Sequence, residues 1–339
     1  MSLAAAEKIY SARSTAAHFF GVENEENVIF TPSCTTSLNM AIKGLLQSGD
    51  HVVVSSMEHN AVMRPLERLK SKGITYTKAD VFIGDDDRTI DSFRHAINGK
   101  TKMIICTQAS NVWGIRLPVE RLCALAHAYG LLFVVDAAQS AGVIPIDMHE
   151  GYDVLCTAGH KGLYGPMGIG LMILSGNNIM QTIIEGGTGS NSYSLEQPGE
   201  LPDRFESGTP NFPGIMGLKS GIEFAGSRKV EKIAEHEFKL IRYLYNKLEK
   251  MHGIKLYTPM PDERYFVPVL SFNADGYDSE EVAAILNKNN IAVRAGLHCA
   301  PCAHEVMDTL DCGAVRISPS VFTKPNDIDR LIYVLSKLY

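Results

Sequence analysis

The chain has 339 residues, 45% of them hydrophobic, and a formal net charge of −6. A single hydrophobic core stops growing near roughly 250–300 residues, so two lobes are expected, and the acidic balance excludes a general nucleic-acid binder, which needs a basic face. No apolar run approaches the ~20 residues that span a bilayer and no charged-then-apolar leader opens the sequence, which predicts a cytoplasmic protein without a membrane partner. The cysteines, Cys34, Cys106, Cys123, Cys156, Cys299, Cys302 and Cys312, are odd in number and mostly lie in apolar runs. They read as reduced thiols rather than a disulfide framework.

Residues 3–20 read as an amphipathic helix with Ile9, Tyr10, Arg13 and Phe20 on differing faces. No strand precedes it, and Met1-Ser2-Leu3 reads as an appended scar with something missing upstream. The chain then alternates. Runs rich in β-branched residues at 28–30, 51–55, 74–78, 102–107, 131–136 and 154–156 predict buried strands, with helical patterns at 36–47, 60–71, 91–98 and 118–129 between them. That alternation specifies an α/β fold with a mostly parallel sheet covered on both faces. Ligands of such sheets sit at the carboxyl ends of the strands, so those ends become the site candidates.

The first strand end gives Thr31-Pro-Ser-Cys-Thr35-Thr36-Ser37 directly before a helix. Free N–H groups and hydroxyls there make a phosphate seat, or equally a plain N-cap. The second gives Glu58-His59-Asn60, where His59 either stacks on a ring or serves as a structural hydrogen-bonder. Asp136 follows four apolar residues, so a carboxylate is carried into a buried strand end, which costs several kcal/mol unless a cation meets it. A protonated pyridine nitrogen would serve, as would an arginine. Lys161 lies in the stretch Thr157–Gly170, TAGHKGLYGPMGIG, delivered by one apolar run and followed by another at 169–174. A glycine-dense turn lets backbone approach a ligand and keeps the lysine on a short leash; a solvated surface lysine is the alternative.

Residues 186–214 are glycine-rich with little periodicity, as functional or disordered segments are. A mostly helical stretch from 214 to about 251 leads into a second lobe of α+β type, which places the lobes at 1–225 and 226–339. The second lobe carries predicted strands at 267–273, 291–294 and 314–318 and helices at 279–289 and 325–338. It also holds His298-Cys299-Ala-Pro-Cys302-Ala-His304, in which a CxxC pair admits a zinc site, a redox disulfide or a reactive thiol.

In this order, TTSLN at 35–39, EHNA at 58–61, QASNVWG at 108–114, DAAQSAG at 136–142, GHKGLYGPMGIG at 159–170 and RFESGTPN at 204–211 resemble the pyridoxal-phosphate enzymes of the class V aminotransferase family. RAGLHCAP at 294–301 narrows the resemblance to cysteine desulfurases and selenocysteine lyases, in the group with a short loop around the reactive cysteine. The resemblance implies a fold-type I homodimer that holds pyridoxal 5′-phosphate, uses L-cysteine or L-selenocysteine, and passes sulfur to a protein acceptor such as an iron–sulfur assembly protein. It makes Lys161 the lysine bonded to the cofactor aldehyde, puts Thr35, Thr36 and His160 on the phosphate, and sets Asp136 against the ring nitrogen. Gln139 is implied at the ring hydroxyl or the lysine–aldehyde linkage, His59 on the ring face, and Asn111 near both hydroxyl and substrate carboxylate. Thr209 is implied to reach the phosphate of the neighbouring subunit. Arg316 matches the substrate-carboxylate clamp, whose guanidinium fork suits a carboxylate, with Arg294 shaping the same mouth. Cys299 becomes the reactive thiol, with His298 expected to favour its thiolate as a cationic or hydrogen-bonding neighbour, and no metal is implied.

Selenocysteine lyase, another class V aminotransferase or lyase, and a non-catalytic scaffold binding a sulfur acceptor are the alternatives. The chain departs from the pattern at Cys34, where relatives carry Gly, and at Ala158, where they carry a phosphate-binding Ser; loss of that hydroxyl is expected to weaken the grip on the cofactor unless Thr157 or the Gly162 backbone compensates. Cys302 stands where a non-thiol residue is usual, which raises exchange of the persulfide sulfur.

Overall fold

The computed structural model describes residues 3–176 and 180–338; Met1 and Ser2, part of the expected scar, lie outside the described residues. The chain forms two compact units, one of Met1–Ser55, Ala61–Gln108 and Pro118–Val230, the other of Ser56–Asn60, Ala109–Leu117 and Glu231–Tyr339. Two short segments that follow predicted strand ends therefore group with the C-terminal unit. No helix among the described residues is long and apolar enough to cross a membrane.

The first unit runs α1 (Leu3–Phe19), β1 (Val28–Thr31), α2 (Cys34–Leu45), β2 (His51–Ser55), α3 (Asn60–Leu69), β3 (Thr75–Ala79), α4 (Asp86–Ala96), β4 (Thr101–Thr107), α5 (Val119–Ala128), β5 (Leu132–Asp136), β6 (Val154–Ala158), β7 (Gly170–Leu174) and α6 (Phe212–Arg228). Its seven strands lie in the order β1-β7-β6-β5-β4-β2-β3. Pairings are parallel from β3 to β6 and antiparallel on both sides of β7. Val53, Ile104, Val134 and Leu155 are fully buried, as strands covered on both faces require. All the carboxyl ends except that of β7 thus point one way, and the turns carrying Ser33, Asp136 and Lys161 leave from that edge.

Two helix ends depart from the sequence expectation for local reasons. α4 starts five residues before the apolar pattern because the Asp85 side chain accepts the Arg88 N–H at 3.0 Å, an N-cap that precedes any apolar residue of the helix. The single helical stretch expected from 214 is broken at Lys229, whose φ of 65° is left-handed and cannot propagate a helix; α7 (Val230–Leu248) follows.

The second unit continues with β8 (Ile254–Leu256), β9 (Leu270–Ala274), α8 (Ser279–Lys288), α9 (Pro301–Val306), β10 (Val315–Ile317) and α10 (Pro325–Leu335). β8 and α9 were not predicted, and the strand expected at 291–294 reduces to one antiparallel bridge between Arg294 and Arg316. The three strands form an antiparallel sheet, β10-β9-β8. Its core joins Ile241, Leu244 and Leu248 to Leu270, Phe272, Val315, Leu331 and Leu335. Ala109–Leu117 is tied into this unit. Trp113 is 1% exposed, donates from Nε1 to the Ala303 carbonyl at 2.8 Å and packs on Tyr257 and His304.

Candidate active site

The first unit gathers one set of predicted residues at the carboxyl edge of its sheet. Ser33 caps α2 by accepting the Thr36 N–H at 3.2 Å, leaving Thr35 exposed and Thr36 half-buried at the helix start. Below them Gly170 is obligatory: a Cβ there would stand 2.8 Å from the Ser33 carbonyl carbon and 2.9 Å from the Cys34 nitrogen. Thr36 and Thr209 line one cavity of about 460 Å³, a size suited to a small ligand, though Asp136 and Lys161 do not line it. Its wall includes Arg13 and Glu206, a part-buried bidentate pair at 2.7 and 2.8 Å that the sequence reading did not find.

Asp136 ends β5 at 4% exposure. Its Oδ1 accepts the Ala138 N–H at 2.9 Å and the Cys34 thiol at 3.5 Å, and no cationic side chain among the described residues pairs with it. Burial and the Asp136 charge push the Cys34 thiol well up, so it stays protonated and donates; the Lys161 ammonium pulls the other way. Carboxylate and ammonium therefore act on one thiol. Cys34, a departure from the family pattern, becomes a neutral hydrogen-bond donor to the carboxylate. Burial followed by the Lys161 charge lowers His160 and keeps its imidazole neutral, an acceptor or donor rather than a cation. Gln139 lies half-buried in the turn after Asp136.

The Lys161 loop is held by backbone against backbone. Gly142 has a φ of +77°, and a Cβ on it would sit 2.0 Å from the Gly162 oxygen. On α6, a Cβ at Gly221 would meet the Leu163 oxygen at 2.2 Å. These approaches fix the loop from two sides and carry no signal in apolar periodicity, which is why the sequence reading missed them. The Thr157 hydroxyl, one of the two groups that could compensate for the missing Ser at Ala158, donates to the Ala137 carbonyl at 3.3 Å and is fully buried. It is committed to the β5 end.

A buried carboxylate without a cation and a helix start with two hydroxyls over a glycine cradle fit pyridoxal phosphate: a protonated ring nitrogen for Asp136, a phosphate for Thr35 and Thr36. The donor set, an amine on a clamped loop, fits the aldehyde.

The second unit gathers the other predicted residues. His298 and Cys299 both have left-handed backbone, with φ of 51° and 57°, a rare state for residues with a Cβ that must be held in place. Two hydrogen bonds hold it: the Asn60 N–H donates to the Cys299 carbonyl at 2.7 Å, and Asn111 Nδ2 donates to the His298 carbonyl at 2.7 Å. Asn111 thus positions the thiol segment, a role the sequence reading did not give it. Its own carbonyl accepts Arg316 Nη1 at 2.7 Å. Cys299 and Cys312 are exposed, the other five cysteines buried.

His298 loses one of the two ways, charge or hydrogen bonding, by which it could favour the thiolate. It is 6% exposed, its Nε2 bonds to the Ala314 carbonyl at 3.0 Å, and burial reinforced by Arg316 pushes its pKa down to about 4. The ring is neutral at physiological pH and supplies no positive charge to the Cys299 thiolate. The cations are Arg294 and Arg316, paired through the backbone bridge; burial and then Arg294 bring Arg316 down to about 10. Beyond the Nη1 bond to the Asn111 carbonyl, the buried Arg316 Nε has no hydrogen-bond partner among the described residues, so the guanidinium keeps a free donor. His59 is half-buried between β2 and α3. No group of three or more His, Cys, Asp or Glu able to hold a metal forms among the described residues.

A family model described as aminotransferase class-V matches residues 1–331, and the chain belongs to that family. Within it, the chain is 33% identical to a probable cysteine desulfurase of Pyrococcus abyssi, over all of this chain and 85% of that protein. It is 32% identical to a probable cysteine desulfurase of Halalkalibacterium halodurans, over 96% of this chain and 81% of that one. The solved structure of a cysteine desulfurase from Thermococcus onnurineus NA1 superposes with a TM-score of 0.90 at 31% identity, covering 98% of this chain and 84% of that one.

Proposed function

We propose that the protein is a pyridoxal-phosphate-dependent cysteine desulfurase, converting L-cysteine to L-alanine and leaving the sulfur as a persulfide on Cys299. The observation that carries this reading is the exposed Cys299 on a left-handed step held by Asn60 and Asn111, in a chain that buries most of its thiols. A scaffold has no use for a strained, solvent-facing thiol.

Lys161 Nζ, Asp136, Gln139, His160, Thr35 and Thr36 would hold the cofactor, with His59 on its ring face and Thr209 reaching the phosphate of a second copy. When bound, pyridoxal phosphate supplies an electron sink for negative charge developing at the substrate α carbon. Asp136 keeps a proton on the ring nitrogen, and Cys34 donates to the same carboxylate without competing for its charge. Arg316, with Arg294 beside it, takes the substrate carboxylate in a two-pronged grip, and Asn111 fixes that guanidinium through its carbonyl. Lys161 Nζ moves the proton at the α carbon. The Cys299 thiolate attacks the substrate sulfur and the carbon–sulfur bond breaks, so cysteine and Cys299–SH become alanine and Cys299–S–SH.

A homodimer is supported by Tyr193 and Leu195, fully exposed large apolar side chains in the segment before Thr209. Cytoplasmic location is supported by seven cysteines without a disulfide, and the sulfur acceptor is a protein.

The test compares turnover of L-cysteine and L-selenocysteine in the native chain and in Cys299→Ala. Loss of cysteine turnover in the variant supports the desulfurase. Alanine production from cysteine that survives the substitution overturns it.

A further inference from the structure

Cys299 is not the only thiol in its segment. Cys299-Ala300-Pro301-Cys302 places a second cysteine three residues on, at the spacing where a disulfide closes between near neighbours. The two thiols differ in access. Cys299 is exposed, whereas Cys302 lies in the first turn of α9 at 8% exposure. Pro301 fixes the backbone between them, and the hydrogen bonds to the His298 and Cys299 carbonyls hold the near end. An outer thiol meets reagents from solution, while an inner one is reached from its neighbour.

Resting on the reading of Cys299 as the sulfur-accepting thiol, we infer that Cys302 is a resolving thiol that discharges the persulfide as sulfide when no acceptor arrives. The Cys302 thiolate attacks the inner sulfur of Cys299–S–SH. A Cys299–Cys302 disulfide forms, the sulfur–sulfur bond of the persulfide breaks, and the electron pair leaves on hydrosulfide, which takes the Cys302 proton to become H2S. The Cys302 sulfur is oxidised and the terminal sulfur reduced, with no outside electrons. Attack on the terminal sulfur would instead move the cargo onto a buried atom that no protein acceptor can reach. Attack on the inner sulfur is the route that clears the cargo from the chain. Return to the dithiol takes two electrons from a dithiol reductant, which is itself oxidised to a disulfide. The pair makes unclaimed sulfur a self-limiting product: the chain stops after one turnover until it is reduced.

The experiment uses the pyridoxal-phosphate-loaded protein with one equivalent of L-cysteine and no reductant, quenched with iodoacetamide and mapped by peptide mass, with sulfide assayed in parallel. The expected native result is an unalkylated 299–302 peptide lighter by two hydrogens and one sulfide per chain. In Cys302→Ser, and again in Cys302→Ala, the sulfur stays on Cys299 as an alkylated persulfide with a lifetime longer by about tenfold or more, since an intramolecular attack has been removed. Loading Cys299 with inorganic polysulfide in the protein without cofactor gives the same contrast independently of turnover. Equal persulfide lifetimes in the native chain and both variants overturn the resolving thiol alone. Absence of sulfur on Cys299 in every variant overturns the reading beneath it as well.

Discussion

The cofactor set of the first unit and the thiol segment of the second solve opposite problems. Around Lys161 the chain approaches itself at Gly142, Gly162 and Gly221 as closely as backbone allows, and Asp136 is buried with no cationic side chain paired to it among the described residues. Around Cys299 the backbone sits in a rare conformation, two hydrogen bonds keep it there, and the thiol faces solvent. One region is shaped to be completed by a ligand. The other is shaped to present a reactive atom. Rigidity in the first comes from absent side chains; in the second it comes from hydrogen bonds that tolerate strain.

Breaking the first region at its amine should have the largest effect. Lys161→Ala is expected to lose the visible absorbance of the bound cofactor and on the order of 10³-fold or more in turnover, measured by spectrum and alanine release. Asp136→Asn keeps the shape but not the charge. It should retain an absorbance band while kcat falls about 10²- to 10³-fold, the scale of one preorganised electrostatic contact.

The thiol region should be the pH-sensitive one. His298 is held near pKa 4 in the folded protein against 6.5 when unfolded, so the unfolded chain binds the extra proton first. Its contribution is whole above about pH 6.5 and is lost as pH falls through about 4, a decline of roughly 3 kcal/mol in unfolding free energy over that window. Urea melts of the native chain and His298→Gln between those limits should show the slope flattened in the variant. An unchanged slope would mean the ring is not buried neutral. The smallest effect returns to the first region: Gly142→Ala adds a Cβ 2.0 Å from the Gly162 oxygen at a positive φ. It should cost about 2–3 kcal/mol in a urea melt and lower cofactor occupancy.

The sheet was legible because its strands are buried on both faces, and runs such as Val52-Val53-Val54 and Phe133-Val134-Val135 announce that without any partner. Strand ends then pointed to Ser33–Thr36, Asp136 and Lys161. What apolar pattern could not show was set by single polar or backbone events. Asp85 starts α4 before its apolar residues, and Lys229 ends α6 by its φ alone. The neutral state of His298 comes from burial and then from Arg316, a residue distant in sequence, against an opposing hydrogen bond to the Ala314 carbonyl, so its motif position could not show that folding removes the cationic form. The positioning role of Asn111 is likewise a contact across 187 residues of chain.

The most direct measurement is the product of L-cysteine turnover by the cofactor-loaded protein, alanine quantified against pyruvate in the native chain and in Cys299→Ser. Alanine as the product, falling by about 10³-fold in the variant, is the predicted result. Pyruvate in place of alanine, or alanine undiminished without the Cys299 thiol, would contradict the account.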